Sequence, residues 1–400
     1  MNENVVKQVT TKRIEIIDAL RGLAMLGIMI VNFPSINCFS GDETSKFGGV
    51  VTTWDKFFEQ LNFLVFNGKF YPIFAFLFGF GSYIFYTNAK NKGFNPLVLI
   101  SRRYLILLFL GCLHIFFVWW GDILLMYAIL GFLLIPFMEL SAQKLLKASL
   151  FTLLLIPVLG VILGALASLG VVDMSTSLLS GLNAYPFTPE QMIATYSAGS
   201  FSEIVRQRLL DYLYDFTFLL SDQITIKVAI GFFAYYLGIF GLFLLGVFVA
   251  KSDWHKKIDL YQSTLKKSWW GFLIAAVAIH LILLHPFFEK HYGILKGEIL
   301  AAFYVITFII VLRRYEGNPL FDLFRSVGKM SLSAYLAHTI FVTLLLYGYG
   351  LGLFFKIGPA YLFPLSVIYY FIVGACCKFW LRFHEFGPVE YLWRRLTYLK

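Results

Sequence analysis

Apolar runs of close to twenty residues recur from one end of this 400-residue chain to the other. The short stretches between them hold most of its 33 Lys and Arg. A helix rises 1.5 Å per residue, so each run is long enough to cross the ~30 Å hydrocarbon layer of a bilayer. Backbone groups in that layer must be satisfied within the segment, and a helix does this. Composition agrees: 59% of residues are hydrophobic and 14% charged, with 44 Phe and 23 Tyr. A soluble domain carries about a quarter charged residues. The expected fold is therefore all-α, a polytopic integral membrane helix bundle.

Ten spans are expected, at 15–36, 66–87, 101–119, 121–139, 146–170, 226–250, 268–287, 296–312, 327–349 and 361–381. With the N-terminus inside, the cytoplasmic loops are 88–100, 140–145, 251–267, 313–326 and the C-terminal tail. These collect most of the Lys and Arg, including Lys251, Lys256, Lys257, Lys266 and Lys267 in one loop. That asymmetry supports ten spans with both termini in the cytoplasm and the chain set among membrane lipids. The whole of 1–400 reads as one transmembrane domain. The basic N-terminus is not a cleaved signal, because its apolar stretch is long, contains Asp18 and Arg21, and has no small-residue cleavage site.

The outer regions 37–65 and 171–225 are longer than connections require. In "WDKFFEQLNFLVF", Trp54, Phe57, Phe58, Leu61 and Leu64 share a helical face, as in a helix lying in the interface. "FSEIVRQRLLDYLYDF" is amphipathic too. Such helices form a lid over the outer face or a plain solvated linker, and the pattern leaves both open.

Net charge of +10 comes from these loop clusters, without a basic groove interleaved with stacking aromatics, so nucleic-acid binding is not expected. Cys38, Cys112, Cys376 and Cys377 lack metal-ligand spacing, and no HExxH motif is present, so no metal is predicted. "FLFGFG" at 76–81 resembles a phosphate loop only superficially; inside an apolar span its glycines suit close helix contact.

Ionisable residues within spans are costly to keep and are functional candidates. Asp18 and Arg21, at i and i+3 near the cytoplasmic surface, can pair. They are either a neutralised structural pair or part of a polar mouth. Asn32 lies ~16 Å further along the helix, near the outer surface, and Lys69 begins the second span on that same side. His114 and Asp122 flank a short connection, so spans three and four form a hairpin that can bring them together. An imidazole oriented by a carboxylate suits general-base work, and Lys or Asn can stabilise an oxyanion. The same pair also serves as an ordinary interhelical hydrogen bond. His338 with Ser331, Ser333 and Tyr335 can line a polar cavity or simply pack; His280 and His285 are weaker candidates.

Five blocks in order, "DALRGLAMLGIMIVNF", "GKFYPIFAFLFGFG", "RRYLILLFLGCLHIFFVWWGDILLMYAILG", "VGKMSLSAYLAHT" and "FGPVEYLWRRLTY", resemble the YeiB-like bacterial membrane proteins, or domain of unknown function 418. That group resembles, at a distance, the transmembrane acyltransferases that carry an acyl group from a cytoplasmic donor such as acetyl-CoA to an acceptor on the far side. The acyltransferase motif places an Arg in span one and a His after ten further residues. Here Arg21 fills the first place and Asn32 the second. Asn is no base, so His114 is the candidate. The "LTNYLLQ"-like block of YeiB-like proteins is also altered, with Ala334 and His338.

The resemblance implies an acyltransferase using acyl-CoA and an envelope or lipid-linked acceptor. His114 is its expected base and Asp122 the orienter. Asn32, Lys69, Tyr335 and His338 give polar stabilisation, and Asp18 and Arg21 form a donor-side ion pair. The rival readings are a transporter of a small or amphiphilic solute and a non-catalytic lipid-binding protein. Homo-oligomerisation is left open.

Overall fold

The computed structural model describes residues 3–38, 52–168, 187–217, 226–253, 262–282 and 286–399. Among them the chain forms helices α1 (Glu3–Ile36), α2 (Thr53–Leu61), α3 (Tyr71–Asn91), α4 (Pro96–Phe117) and α5 (Leu124–Leu134). There follow α6 (Ala142–Ser168), α7 (Pro189–Ala198), α8 (Phe201–Thr217), α9 (Ile226–Lys251) and α10 (Gln262–Ile282). The last five are α11 (Pro286–Arg314), α12 (Pro319–Lys329), α13 (Ser331–Leu346), α14 (Pro359–Trp380) and α15 (Pro388–Tyr398). No strand occurs among the described residues.

Helix α1 is the axis of the bundle. Ala19, Ala24, Met25, Met29, Phe33 and Ile36 are wholly enclosed by α3, α12, α13 and α14. The outer helices instead turn bulky apolar side chains away from the protein: Leu105 and Phe109 on α4 are both 59% exposed, and Phe151 on α6 and Ile274 on α10 both 65%. Such faces are at home in lipid. The described residues include four helices long and apolar enough to cross a membrane, or five if the bent pair α12–α13 counts as one. Leu124–Phe137 and Tyr235–Lys251 are shorter apolar helices. The protein is an all-helical membrane protein.

Burial from water contributes little to association between helices already in lipid, so close packing must hold them. Glycine makes that approach possible here. A methyl at Gly328 would lie 1.7 Å from the Asp18 carbonyl oxygen, and one at Gly22 would lie 2.0 Å from that of Phe324. The backbones of α1 and α12 therefore touch. Gly79 and Gly246 do the same for α3 and α9, against the carbonyls of Phe243 and Phe76. This is the close contact expected of "FLFGFG".

Several expected elements differ. The span over 327–349 is not one helix: α12 and α13 meet at Met330 with a bend of 86°. Asn318 caps α12 by accepting the Leu320 N–H (2.9 Å). The helix buries Phe321, Phe324 and Val327 while Asp322 pairs with Arg325 and Lys378. Helix α13 then restarts with no cap of its own. Glu390 of α15 supplies one, accepting the N–H groups of Leu332 (2.8 Å) and Ser333 (3.0 Å) and the Ser333 hydroxyl (2.5 Å). A carboxylate at a helix N-terminus also meets the positive end of its dipole.

The connection expected at 288–295 is helical, because Pro286 begins α11 with its fixed φ and lack of an N–H. Lys69 does not begin a span. It stands in a turn made by Gly68 (φ 79°), two residues before α3. The aromatic helix expected in the first outer region is α2, with Trp54 and Phe57 exposed and Phe58 packed on Phe363 of α14.

The amphipathic helix expected from "FSEIVRQRLLDYLYDF" is α8, but much of its polar face points inward. Gln207, Arg208 and Asp211 are buried while Phe201 and Leu213 are exposed. Hydrogen bonds account for the inversion. Arg208 donates to the Phe116 carbonyl (2.9 Å), Gln207 to Asp211 (2.8 Å), and the Tyr196 hydroxyl to Asp211 (2.5 Å).

Candidate functional site

The hairpin of α4 and α5 brings His114 and Asp122 together. Gly111 makes this possible, since a methyl there would lie 2.4 Å from the Leu125 nitrogen. Asp122 Oδ1 accepts the Leu125 N–H (2.8 Å), which fixes the carboxylate as a cap for α5. Its Oδ2 lies 2.9 Å from His114 Nδ1, with both side chains enclosed. That contact is close but poorly aligned for a hydrogen bond. On the far side of the ring, His114 Nε2 is 2.9 Å from the Thr339 hydroxyl of α13. The same hydroxyl also donates to the Leu336 carbonyl (3.0 Å), so the direction of the His114 contact follows the tautomer of the ring. The result is a chain Asp122–His114–Thr339 across three helices.

A second imidazole adjoins it. His338 is fully buried, and its Nε2 lies 3.2 Å from Asn32 Nδ2, with Phe33 stacked parallel to its ring. Tyr335 stands between the two histidines, its ring 5.2 Å from each. The Tyr335 hydroxyl faces Asp122 and the Ile123 N–H without completing a well-formed hydrogen bond. The His338 ring faces the backbone of Ala334 and Tyr335 with its Nδ1 short of a well-formed hydrogen bond, and the indole nitrogens of Trp119 and Trp120 are buried without a partner. Most buried polar groups are satisfied, so such a concentration marks a region to be explained by function.

Two cavities approach this layer, one beside Asn32 and one beside Arg21, about three turns apart along α1. The larger, about 540 Å³, is lined by Asn32, Lys69, Tyr71, Asp122 and Tyr335 among others. The Lys69 ammonium donates to the Phe63 carbonyl (2.5 Å). The smaller, about 160 Å³, opens at the Arg21 end beside the break between α12 and α13. Ile28, Ile123 and Tyr335 line both cavities. A wall of three side chains is thus common to them.

The structure brings Asn32, Lys69, Asp122 and Tyr335 to the larger cavity, with His338 behind Asn32 and His114 behind Asp122. Asp18 and Arg21 pair (3.2 Å) at the other end, and Arg21 lines the smaller cavity. The side chains of His280 and His285 lie outside the described residues. Sequence reasoning missed Thr339, although a polar residue within a span is itself a signal. It also missed Glu298 on α11, an acid in an apolar helix, which the same rule should have found. Its carboxylate is hydrogen-bonded by the Tyr71 phenol and keeps one buried oxygen unpartnered. Among the described residues no three His, Cys, Asp or Glu converge as a metal site would require.

Fold and site define a class: a multi-pass helical membrane protein with a polar layer buried between two cavities. Sequence relatives supply the family. The uncharacterized protein YxaH of Bacillus subtilis is 31% identical over 400 residues, covering 98% of this chain and 95% of its own length. The uncharacterized protein YeiB of Escherichia coli K12 is 25% identical over 411 residues, covering 95% of each. The family model described as a protein of unknown function, DUF418, matches residues 249–400. The chain belongs to this DUF418 family. No solved structure matches it.

Proposed function

We propose that this protein is a membrane-embedded acyltransferase of the bacterial cytoplasmic membrane. On this reading it crosses the bilayer ten times, with both termini and the Arg21 end in the cytoplasm. The observation that carries the reading is the convergence of two cavities, one beside Asn32 and one beside Arg21, on one wall beside the Asp122–His114–Thr339 chain. Transfer of a group between a donor on one side and an acceptor on the other needs such a meeting point. An acyl-CoA donor enters past Asp18 and Arg21, and an envelope or lipid-linked acceptor occupies the larger cavity.

As the acceptor's nucleophile attacks the thioester carbonyl, His114 takes its proton, and Asp122 stabilises the imidazolium that results; the C–S bond then breaks and the imidazolium returns the proton to the departing CoA thiolate. Thr339 holds the ring until the acceptor is in place. Tyr335 and Asn32 orient the reacting carbonyl, and Lys69 stabilises negative charge developing on its oxygen. His338 fixes Asn32.

The test is thiol release from acetyl-CoA by the purified protein in liposomes. His114→Ala should leave a folded protein and lower turnover at least ~100-fold, the usual scale of a general base. Absence of both acyl-CoA binding and hydrolysis in wild type would sink the proposal.

One observation favours a second reading, transport. Broken helices commonly build solute sites in carriers, and α12–α13 is bent by 86° at its break. Proteoliposome flux of a solute, unaffected by acyl-CoA, would select it.

A further inference from the structure

The smaller cavity carries more positive charge than its acids neutralise. Arg21, Arg103 and Lys329 line it together with Glu390. Of the nearby acids, Asp18 is engaged by Arg21. Both Glu390 oxygens are committed to the start of α13.

Arg103 has no carboxylate partner among the described residues. Aromatic rings hold it instead: its guanidinium lies 3.6 Å from the Trp393 ring centroid and 4.9 Å from that of Phe85. Rings over the faces leave the edge, where the N–H donors are, for hydrogen bonding. Gly81 gives the second guanidinium its room, since a methyl there would lie 2.9 Å from Arg21 Nη2. Ser82 and Ser331 add hydroxyls to the same wall.

We propose that this cavity is an anion site that takes a phosphate or diphosphate group, with Arg103 as its fixed fork and Arg21 and Lys329 completing the charge. Planar guanidinium donors match phosphate oxygens in pairs, and one already clamped between rings loses little freedom on binding. At about 160 Å³ the cavity is below the ~300 Å³ of sites that enclose whole drug-sized ligands. It therefore holds a head group, with the rest of the molecule outside. The chemistry fits a soluble phosphorylated donor and an anionic lipid headgroup alike. The site deepens the transferase reading by naming what would anchor the donor, but a carrier of phosphorylated solutes would use it equally.

Inorganic pyrophosphate is the probe, titrated calorimetrically against the full chain in phosphatidylcholine nanodiscs. Saturable binding that weakens with added salt is expected. Arg103→Gln should lower affinity about tenfold or more, as expected for losing a charged hydrogen-bonding partner. Arg103→Lys should fall between the two, and Lys144→Gln, on the exposed start of α6, should change nothing. Because Arg103 also packs against Trp393, Lys329→Gln provides a surface variant that tests the same site without disturbing the fold.

Repeating the titration in phosphatidylglycerol nanodiscs separates the sources. Loss of pyrophosphate affinity there identifies a lipid headgroup as the occupant, and unchanged affinity a soluble one. No saturable binding, or binding that Arg103→Gln and Lys329→Gln leave intact, overturns the site. Acyl transfer persisting without pyrophosphate binding would sink this inference and spare the transferase. Pyrophosphate binding without acyl-CoA turnover would do the reverse.

Discussion

The stretches of α1 around Arg21 and around Asn32 face different cavities, built by different means. At the Arg21 end the backbones of α1 and α12 touch through Gly22 and Gly328, and the space left between elements is small and basic. At the Asn32 end the packing is aromatic and looser, and the cavity is about 540 Å³ with mixed polarity. Tight backbone contact fixes charges for one kind of group, whereas a roomier chamber admits a range of shapes. On the transferase reading proposed above, the tight end would hold a donor of one kind and the roomier end acceptors of several.

The harshest way to break the comparison is Gly328→Val. Its branched side chain would enter the Asp18 carbonyl of α1, and overpacking of this kind costs about 3 kcal/mol or more. The expected outcome is a large drop in the thermal midpoint of the purified protein, together with loss of anion binding at the Arg21 end.

Tyr335→Ala should act next most strongly, by removing the side chain in the shared wall while leaving the fold. With Ser331→Cys as reporter, a position that lines only the smaller cavity, a membrane-impermeant thiol reagent should label from one side of the bilayer in the parent. In the Tyr335→Ala background it should label from both. Labelling that stays one-sided would show that Ile28 and Ile123 suffice as the barrier.

Asn32→Ala removes the 3.2 Å contact to His338, at about 1 kcal/mol for an interhelical hydrogen bond in a membrane. Turnover should fall while pyrophosphate affinity at the Arg21 end stays the same. A parallel loss at both ends would mean that the two cavities are not independent.

The smallest effect belongs to the start of α8. Hydrogen bonds from the Ser200 hydroxyl and N–H hold the Glu203 carboxyl below its ordinary value near 4.5. A depressed carboxylate stabilises the fold above its unfolded value, and that gain disappears as pH falls through the folded one. Ser200→Ala should therefore lower the thermal midpoint slightly at pH 7. The difference from wild type should shrink in acid, and neither cavity should be affected.

Local spacing made some of this legible. Asp18 and Arg21 pair because they are three residues apart on one helix, and His114 meets Asp122 because the connection between their helices is short. The apolar runs gave away the membrane class, since segment length and lipid thickness are directly commensurate. The break at Met330 could not be read, because no proline or local cap produces it; the residue that satisfies α13 is Glu390, far along the chain. Arg103 falls within the expected span 101–119 with nothing local to mark it, and the ring that holds it, Trp393, is 290 residues away. Arg208 belonged to a face that pattern alone would send to water. In each of these cases the deciding partner is remote in sequence, where periodicity carries no information.

The cap that Glu390 places on α13 also bears on the order of assembly. Helices of a membrane protein enter the bilayer in sequence as the ribosome makes them, but the start of α13 lacks its carboxylate until residue 390 has emerged. Tyr335 and Thr339 sit about one and two turns beyond that start, so their final positions wait on the same event. A nascent chain arrested just short of α15 should hold an inserted but unfinished core, with the polar layer assembled only when synthesis is nearly complete.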